Sequence, residues 1–583
     1  MNAWLAAIEA QVGVFFAVEL LLAAGVLALA FAAPRLGEAT FARIERACTH
    51  HLSSPLRQVL AVGLLALVLR ALLLPWLGPS QSVVHDEQSL LLQAQTQLLG
   101  RLAMPVHPFW EHFETFHVNQ LPAYASVYFP GRSLPLAFGL LIAGDAWVGA
   151  WASTVLMAMA AVWMLQGWVS LPLALLGGVL VVMRFGVFSY WVNSYWGGSF
   201  SALGAMLVVG ALPRLLQRPG WGPGAVFGLG AAILATTRPY EGLLLCVPAA
   251  AWLVLQLLRP AAFGWRAGAA RAAIPALACV AAAGALLLAH NAATTGGASK
   301  TAYEVNRWQY AQAPAFLHQP PVDSARRGPP HMRAFYAEEA RPHARRASLA
   351  GLGSNLAAKL FHTWAFYVGA LLTVFAGVGL WALRRERYVL PALAVFVAGY
   401  LPLTWNFPHY AAPAMPLMLI VVMRGAERLR AWSWRGRPAG AFLTRAVPVA
   451  MLASLALPAA SVVVGVPALE ASRTRVCCAI HPRGLKDELR ARLLSEEGRH
   501  LVLVRSGPHN PVHYELVYNE PEIDRARIVW ARRLDPQRDA ALMAHFAGRK
   551  VWDFDWRPDL PEAHALVPVA TANSPTIRRP GDQ

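Results

Sequence analysis

Twelve runs of apolar residues, nearly free of charge, govern what this chain can fold into. They lie near 11–33, 58–78, 146–168, 171–187, 198–213, 222–237, 242–258, 272–290, 361–382, 388–404, 411–424 and 446–466. About 20 apolar residues in a helix cross a ~30 Å hydrocarbon core. The runs therefore predict an all-α polytopic membrane protein of about twelve spans. They are continuous, whereas a membrane β-barrel needs short alternating strands. Only 14% of the residues are charged and 56% are hydrophobic. Water-facing domains average about 25% charged residues, so soluble and disordered classes are excluded. The apolar stretch 134–144 is too short to span and reads as a re-entrant or interfacial helix.

Arginine sets the expected orientation, because short cytoplasmic connections are rich in it. Arg35, Arg43, Arg46 and Arg57 lie in 34–57, Arg214 and Arg218 in 213–218, and Arg259, Arg266 and Arg271 in 259–271. Arg384, Arg385 and Arg387 follow in 383–387, and six arginines in 424–445. With twelve spans all five connections share one side. Loops 79–145 and 291–360, the short loops near 188–197, 238–241 and 405–410, and the tail 467–583 then share the exoplasmic side. This divides the chain into an extra N-terminal helix and basic loop (1–57), a transmembrane domain (58–466) and an exoplasmic tail domain (467–583).

The net charge of +18 could suggest a nucleic-acid partner, but basic cytoplasmic loops explain much of it. No nucleic acid is expected. Loop 291–360 is itself basic, which long loops tolerate. The first run lacks a basic n-region and a small-residue cleavage site, so it reads as a retained helix. No Cys/His spacing suggests zinc. The adjacent Cys477 and Cys478 fit free thiols or an intermolecular bond as well as a strained disulfide with each other. In the tail, helix-like Leu485–Leu494 precedes strand-like His500–Val504. Strand-like Arg527–Ala531, helical Pro536–Phe546 and strand-like Lys550–Phe554 follow. This alternation predicts a small α/β domain with a partly parallel sheet. Arg505–His509 stands at a strand's carboxyl end, where open sheets place sites, although a turn explains it better.

Polar residues gather at the exoplasmic ends of the spans. His85, Asp86 and Glu87 open an amphipathic segment, Gln88–Leu99. Two acids there suit a helix N-terminus. A carboxylate at the membrane boundary can also take a proton from an attacking hydroxyl or amine. Glu111, His112 and His117 offer metal-ligand types, but the histidines are five apart, unlike H-E-x-x-H, and no metal is expected. Arg132 lies in the turn Tyr128-Phe129-Pro130-Gly131-Arg132-Ser133-Leu134-Pro135-Leu136. Arg238 lies in Thr237-Arg238-Pro239-Tyr240-Glu241, and His409 in Asn406-Phe407-Pro408-His409-Tyr410. Each alone could be an interfacial side chain. Together with the acid they suit a polar cavity for a lipid phosphate beside its sugar.

The order of these motifs resembles the GT-C membrane glycosyltransferases, in particular the protein O-mannosyltransferase and lipid A aminoarabinose transferase group. The resemblance covers roughly 58–424. It implies that Asp86 is the catalytic base with Glu87 beside it. The "GRSLPL" turn matches the family's "KPPL" and puts Arg132 at the donor phosphate, joined by Arg238, His409 and Tyr410. His409-Tyr410-Ala411-Ala412-Pro413-Ala414-Met415-Pro416 matches the family's "RYLLPALP". His85, Glu111, His112, Asn193, Tyr240 and Glu241 are further candidates for substrate contact. Asn193 stands in Tyr190–Gly198 where the family carries a second acid, and it cannot act as a base. Leu90 replaces a usual aromatic, and one span precedes the usual first.

The resemblance implies a bacterial inner-membrane enzyme. It would move a sugar from a polyprenyl-phosphate donor to a glycan, lipid or protein acceptor on the periplasmic side, with no cofactor. A transporter or flippase fits twelve spans, but the two halves show no repeat of the kind such folds use. A non-catalytic envelope assembly protein that docks through its tail is the third class.

Overall fold

The computed structural model describes residues 2–82, 84–258, 263–325, 327–405, 407–464, 485–507, 515–556 and 566–569. It is mostly helical. Helices α1 (Asn2–Ala32), α2 (Glu38–His51) and α3 (Pro55–Ala71) lead through the short α4 (Leu74–Leu77) to α5 (His85–Leu98). A membrane bundle follows: α6 (Leu134–Ala143), α7 (Ala146–Leu165), α8 (Leu171–Phe185), α9 (Ser199–Gln217), α10 (Trp221–Thr237), α11 (Pro239–Leu257) and α12 (Phe263–Thr295). The second long loop contains α13 (Ala302–Tyr310) and α14 (Pro330–Ala347). The bundle closes with α15 (Leu349–Tyr367), α16 (Gly369–Ala382), α17 (Val389–Tyr400), α18 (Met415–Arg430) and α19 (Ala439–Val464).

Every apolar run falls on helix. Leu21, Leu141, Leu258 and Leu277 point outward and are highly exposed. In water such surface costs about 25 cal/mol per Å²; in lipid it is solvated, and the backbone is satisfied within each helix. The chain is a multi-pass membrane protein. Five helices are long and apolar enough to cross alone, and two bent pairs bring the number to seven. Among the shorter apolar helices, α17 has 12 residues, only about 18 Å at 1.5 Å per residue.

Two departures from the sequence reading have visible causes. The run 361–382 is not one helix: α15 and α16 meet at a 100° bend. Gly369 sits there at φ +64, and an added Cβ would lie 2.2 Å from the Glu19 carboxylate. That carboxylate accepts the Ala370 N–H at 3.1 Å and pairs with Arg184 at 3.0 Å. Arg184 Nε in turn donates to the Phe366 carbonyl at 2.5 Å, and its Nη2 donates to that of Ala365. The break is thus stapled by a buried ion pair from α1 and α8. The basic loop 34–57 also contains α2, which has no buried residue.

A two-stranded ribbon, β1 (Val118–Asn119) with β2 (Ala125–Ser126), lies in the first long loop. The tail adds α20 (Leu485–Ser495), β3 (His500–Ser506), β4 (Ile528–Arg532), α21 (Pro536–His545), β5 (Lys550–Trp556) and β6 (Val567–Pro568). The sheet order is β4-β3-β5-β6, with β3 parallel to both β4 and β5 and β6 antiparallel. The partly parallel sheet is as expected. One face packs Val502, Val504 and Trp530 under Leu489 and Leu493 of α20. The other packs Leu501, Leu503 and Val529 against Met104, Phe113 and Tyr124 of the first loop. Cys477, Cys478, Pro508 and His509 lie outside the described residues.

Candidate active site

One stripe of α5 organises the site. Asp86, Ser89, Gln93 and Gln97 are spaced three, four and four apart, which places them on one helix face. Glu87 starts the helix by accepting the Val84 N–H at 3.1 Å. Ser89 Oγ donates to the His117 carbonyl at 2.6 Å. Gln93 Nε2 donates to the Tyr128 carbonyl at 2.6 Å, and Gln97 Nε2 to that of Pro130 at 2.8 Å. Ser133 Oγ returns a hydrogen bond to Gln93 at 2.9 Å. The glutamines thereby fix the turn that ends in Arg132. Gly131 lets that turn approach the end of α10: a Cβ there would lie 2.4 Å from Thr236 Oγ1. The approach brings Arg132 beside Arg238.

The result is a chain of polar contacts. The Tyr128 hydroxyl donates to the Asp86 carboxylate. Arg132 lies over the Tyr128 ring at 4.3 Å, and Arg238 over the Tyr410 ring at 4.1 Å. His85 Nε2 is 3.2 Å and His117 Nε2 4.0 Å from Asp86. Burial opposes ionisation of Asp86, but His117, His85, the Tyr128 hydroxyl and Arg132 outweigh it and hold the carboxyl below its usual range. It is an ionised, acceptor-ready carboxylate with 22% of its side chain exposed. Burial and the neighbouring Arg238 push Arg132 downward. Arg238 is raised: burial works against its charge, and Glu241 at 3.3 Å and Tyr410 outweigh that. Two guanidinium groups thus lie close enough to repel, and Arg132 has no carboxylate at salt-bridge distance among the described residues. An anion is the group that relieves such a pair.

His409 departs from the expectation of a third cation. It is buried, its Nδ1 lies 3.0 Å from the Tyr190 hydroxyl, and its N–H donates to that oxygen at 3.1 Å. Burial, then Arg238 and Arg132, push its pKa well below the ordinary value. The ring is neutral and orders Tyr190 and Tyr410. Glu87 is likewise committed, its second oxygen accepting the Tyr195 N–H at 2.8 Å. It positions the 190s segment and has no oxygen spared from backbone contact. Asn193 is held in the same segment, accepting from Arg70 at 2.9 Å and donating to the carbonyls of Val187 and Ser189. Tyr240 packs on Phe316 and donates to the Gly399 carbonyl at 2.8 Å. Glu111 and His112 lie away from Asp86, at the tail. Glu111 pairs with Arg538 at 2.7 Å, and His112 Nδ1 is 2.8 Å from the Arg532 carbonyl.

His117 and Tyr128 were absent from the site read in the sequence. In the sequence His117 shows only its spacing to His112, and Tyr128 only the start of the turn. The Asp86-to-Gln97 spacing was the usable signal. Two groups bring three metal-ligand atoms within 4.8 Å of one another: His85, Asp86 and His117, and His107, Asp524 and His545. In the second, His107 Nδ1 accepts the Phe109 N–H at 3.0 Å. A neutral His107 therefore carries its proton on Nε2, facing Asp524 at 3.1 Å.

No protein-family model matches the chain, and no curated protein matches it. Solved structures do. The neighbours are GT-C fold glycosyltransferases. One is the Archaeoglobus fulgidus oligosaccharyltransferase in complex with zinc and sulfate. It is 11% identical at a TM-score of 0.46, over 85% of this chain and 68% of that one. ArnT from Cupriavidus metallidurans bound to undecaprenyl phosphate is 12% identical at a TM-score of 0.45, over 87% and 94%. The apo form of that ArnT is 11% identical at a TM-score of 0.48, over 86% and 94%.

Proposed function

We propose that this protein is a membrane glycosyltransferase that moves a sugar from a polyprenyl-phosphate donor to an acceptor hydroxyl or amine. The observation that supports this reading is the run Asp86–Tyr128–Arg132–Arg238, a carboxylate next to two guanidinium groups that share a single salt-bridged carboxylate, Glu241 on Arg238. The donor phosphate sits between Arg132 and Arg238. The acceptor approaches the anomeric carbon from the Asp86 side. The C1–O bond to phosphate breaks as the acceptor oxygen or nitrogen bonds to C1 with inversion, and the acceptor proton passes to Asp86. The leaving phosphate keeps the bonding pair and is stabilised by the two arginines. Tyr128 orients the carboxylate. In this reading the site faces the periplasm, the tail lies on the same side, and about twelve helices complete the inner-membrane domain.

The test is Asp86→Asn, which keeps shape but cannot take the proton. Loss of a general base costs about 10²–10⁴-fold in rate. The Asn side-chain oxygen still accepts from the Tyr128 hydroxyl, so folded yield stays level. Transfer from a labelled polyprenyl-phosphate sugar is measured beside donor binding. Lost turnover with retained binding is expected; wild-type turnover in the variant removes Asp86 as the base, and absence of transfer by the wild-type protein leaves the transporter reading ahead.

A further inference from the structure

His117 reaches Asp86 from an uncommon backbone. Its φ is +57, in the left-handed region that a side chain occupies only when its surroundings hold it there. From the α5 side, Ser89 Oγ and the Val127 N–H donate to the His117 carbonyl, at 2.6 and 3.2 Å. From behind, Phe116 packs with Tyr310, Met332 and Tyr336 of the second long loop, and two hydrogen bonds come from the tail. The Tyr518 hydroxyl donates to the Phe116 carbonyl at 2.9 Å, and Arg532 Nε donates to the Glu114 carbonyl at 2.6 Å.

Arg532 does not reach the loop as a loose surface side chain. It projects from β4, is buried, and donates through Nη2 to the buried Glu515 at 2.8 Å. Glu515 also lies 2.8 Å from Nε2 of His331, at the start of α14 in the second long loop. A buried ion pair is a poor device for stability alone, because desolvation offsets its attraction. It is a good device for fixing one geometry. Around it, Leu92 and Val118 share a core with Tyr518, Leu501 and Val529, so the sheet and the loop are packed through common side chains.

We propose that the C-terminal domain is a positioning device for the active site, holding the 114–118 turn so that His117 stays against Asp86. Tyr518 and Arg532 are positioning residues, and Glu515 and His331 lock Arg532. The assignment rests on Asp86 as the centre of the site. It gives the tail a part in catalysis without contact to donor or acceptor.

Tyr518→Phe in the full-length detergent-solubilised protein tests it, since the ring stays in the shared core and only the hydroxyl leaves. Diethyl pyrocarbonate modification of His117, followed by peptide mass spectrometry, reads the turn without reference to activity. It speeds up by about 2–10-fold, the factor one hydrogen bond carries. The kcat falls on the order of tenfold, as displaced catalytic groups do, and donor Kd stays within about twofold. In a His117→Ala background Tyr518→Phe has no further effect on kcat, since the two act through one contact. Arg532→Lys keeps the charge for Glu515 but loses the Nε–H, and behaves alike if Tyr518→Phe folds poorly. An unchanged modification rate in both variants overturns the proposal, and so do kcat losses that multiply in the double variant. If the wild-type protein transfers no sugar while His117 modification still responds, the glycosyltransferase reading fails and the positioning role stands.

Discussion

The Arg184–Glu19 pair and the Arg132–Arg238 pair both hold guanidinium groups away from water, with opposite results. Arg184 meets a carboxylate and two carbonyls, and Glu19 also takes the Ala370 N–H. That charge is neutralised, and its product is a fixed bend between α15 and α16. Arg132 meets a tyrosine face and a like charge. Asp86 acts on it only from beyond salt-bridge distance. Saturated buried charge builds the frame, and unsaturated charge beside Asp86 marks where a ligand belongs. The tail interface belongs with the first kind, since Glu515, Arg532 and His331 close on one another.

The contrast breaks first at Arg184. Arg184→Ala strands Glu19 as an unpaired buried charge, which costs about 3–5 kcal/mol. A large fall in melting temperature in detergent is expected, with transfer per folded molecule within about twofold. Replacing both partners with apolar residues restores part of the stability. If the single variant melts like wild type, the pair is not the staple described.

Arg132→Ala should do the reverse, and Arg238→Ala should lose on both counts, because it also strands the buried Glu241. Each removes a charge-assisted contact to phosphate worth about 1.5–3 kcal/mol, or roughly 10–100-fold in donor affinity. Melting temperature holds or rises for Arg132→Ala, because a like-charge contact goes with it. Equilibrium binding of the polyprenyl-phosphate donor and a thermal melt decide the matter together. Unchanged affinity in both variants would remove the phosphate site.

The smallest effect is in pH. Burial lowers the pKa of His331, and also of His107 and His500. A lowered histidine binds fewer protons folded than unfolded. Its contribution is present above the unfolded value of about 6.5 and is lost as pH falls below it. Glu515, depressed by Arg532 and His331 against its burial, adds the same sign below about pH 4.3. Melting curves between about pH 7 and about pH 5 should show the tail and loops loosening first, read by proteolysis near Tyr518. Flat stability over that range would contradict the buried histidines.

Much of this was legible in the chain. Apolar run length placed the helices, period and turn residues placed the α/β tail, and the order of Asp86, Arg132 and Arg238 named the groups that converge. Each of these is local: a window of ten to twenty residues carries its own periodicity and charge. What failed to show were partners far apart in sequence. Glu87 stands beside Asp86 and reads as its equal, yet Tyr195 consumes its second oxygen. His409 reads as a cation, yet burial beside two arginines keeps it neutral. Glu111 and His112 read as site residues, yet Arg538 and Arg532 draw them to the tail. The break at Gly369 needed Glu19 from 350 residues earlier, and the turn beside His117 meets Tyr518 from about 400 residues later. Residue type sets which group can ionise, donate or span lipid. Burial and long-range contact set which of them is left with an unmet charge, and only the packed structure contains those two quantities.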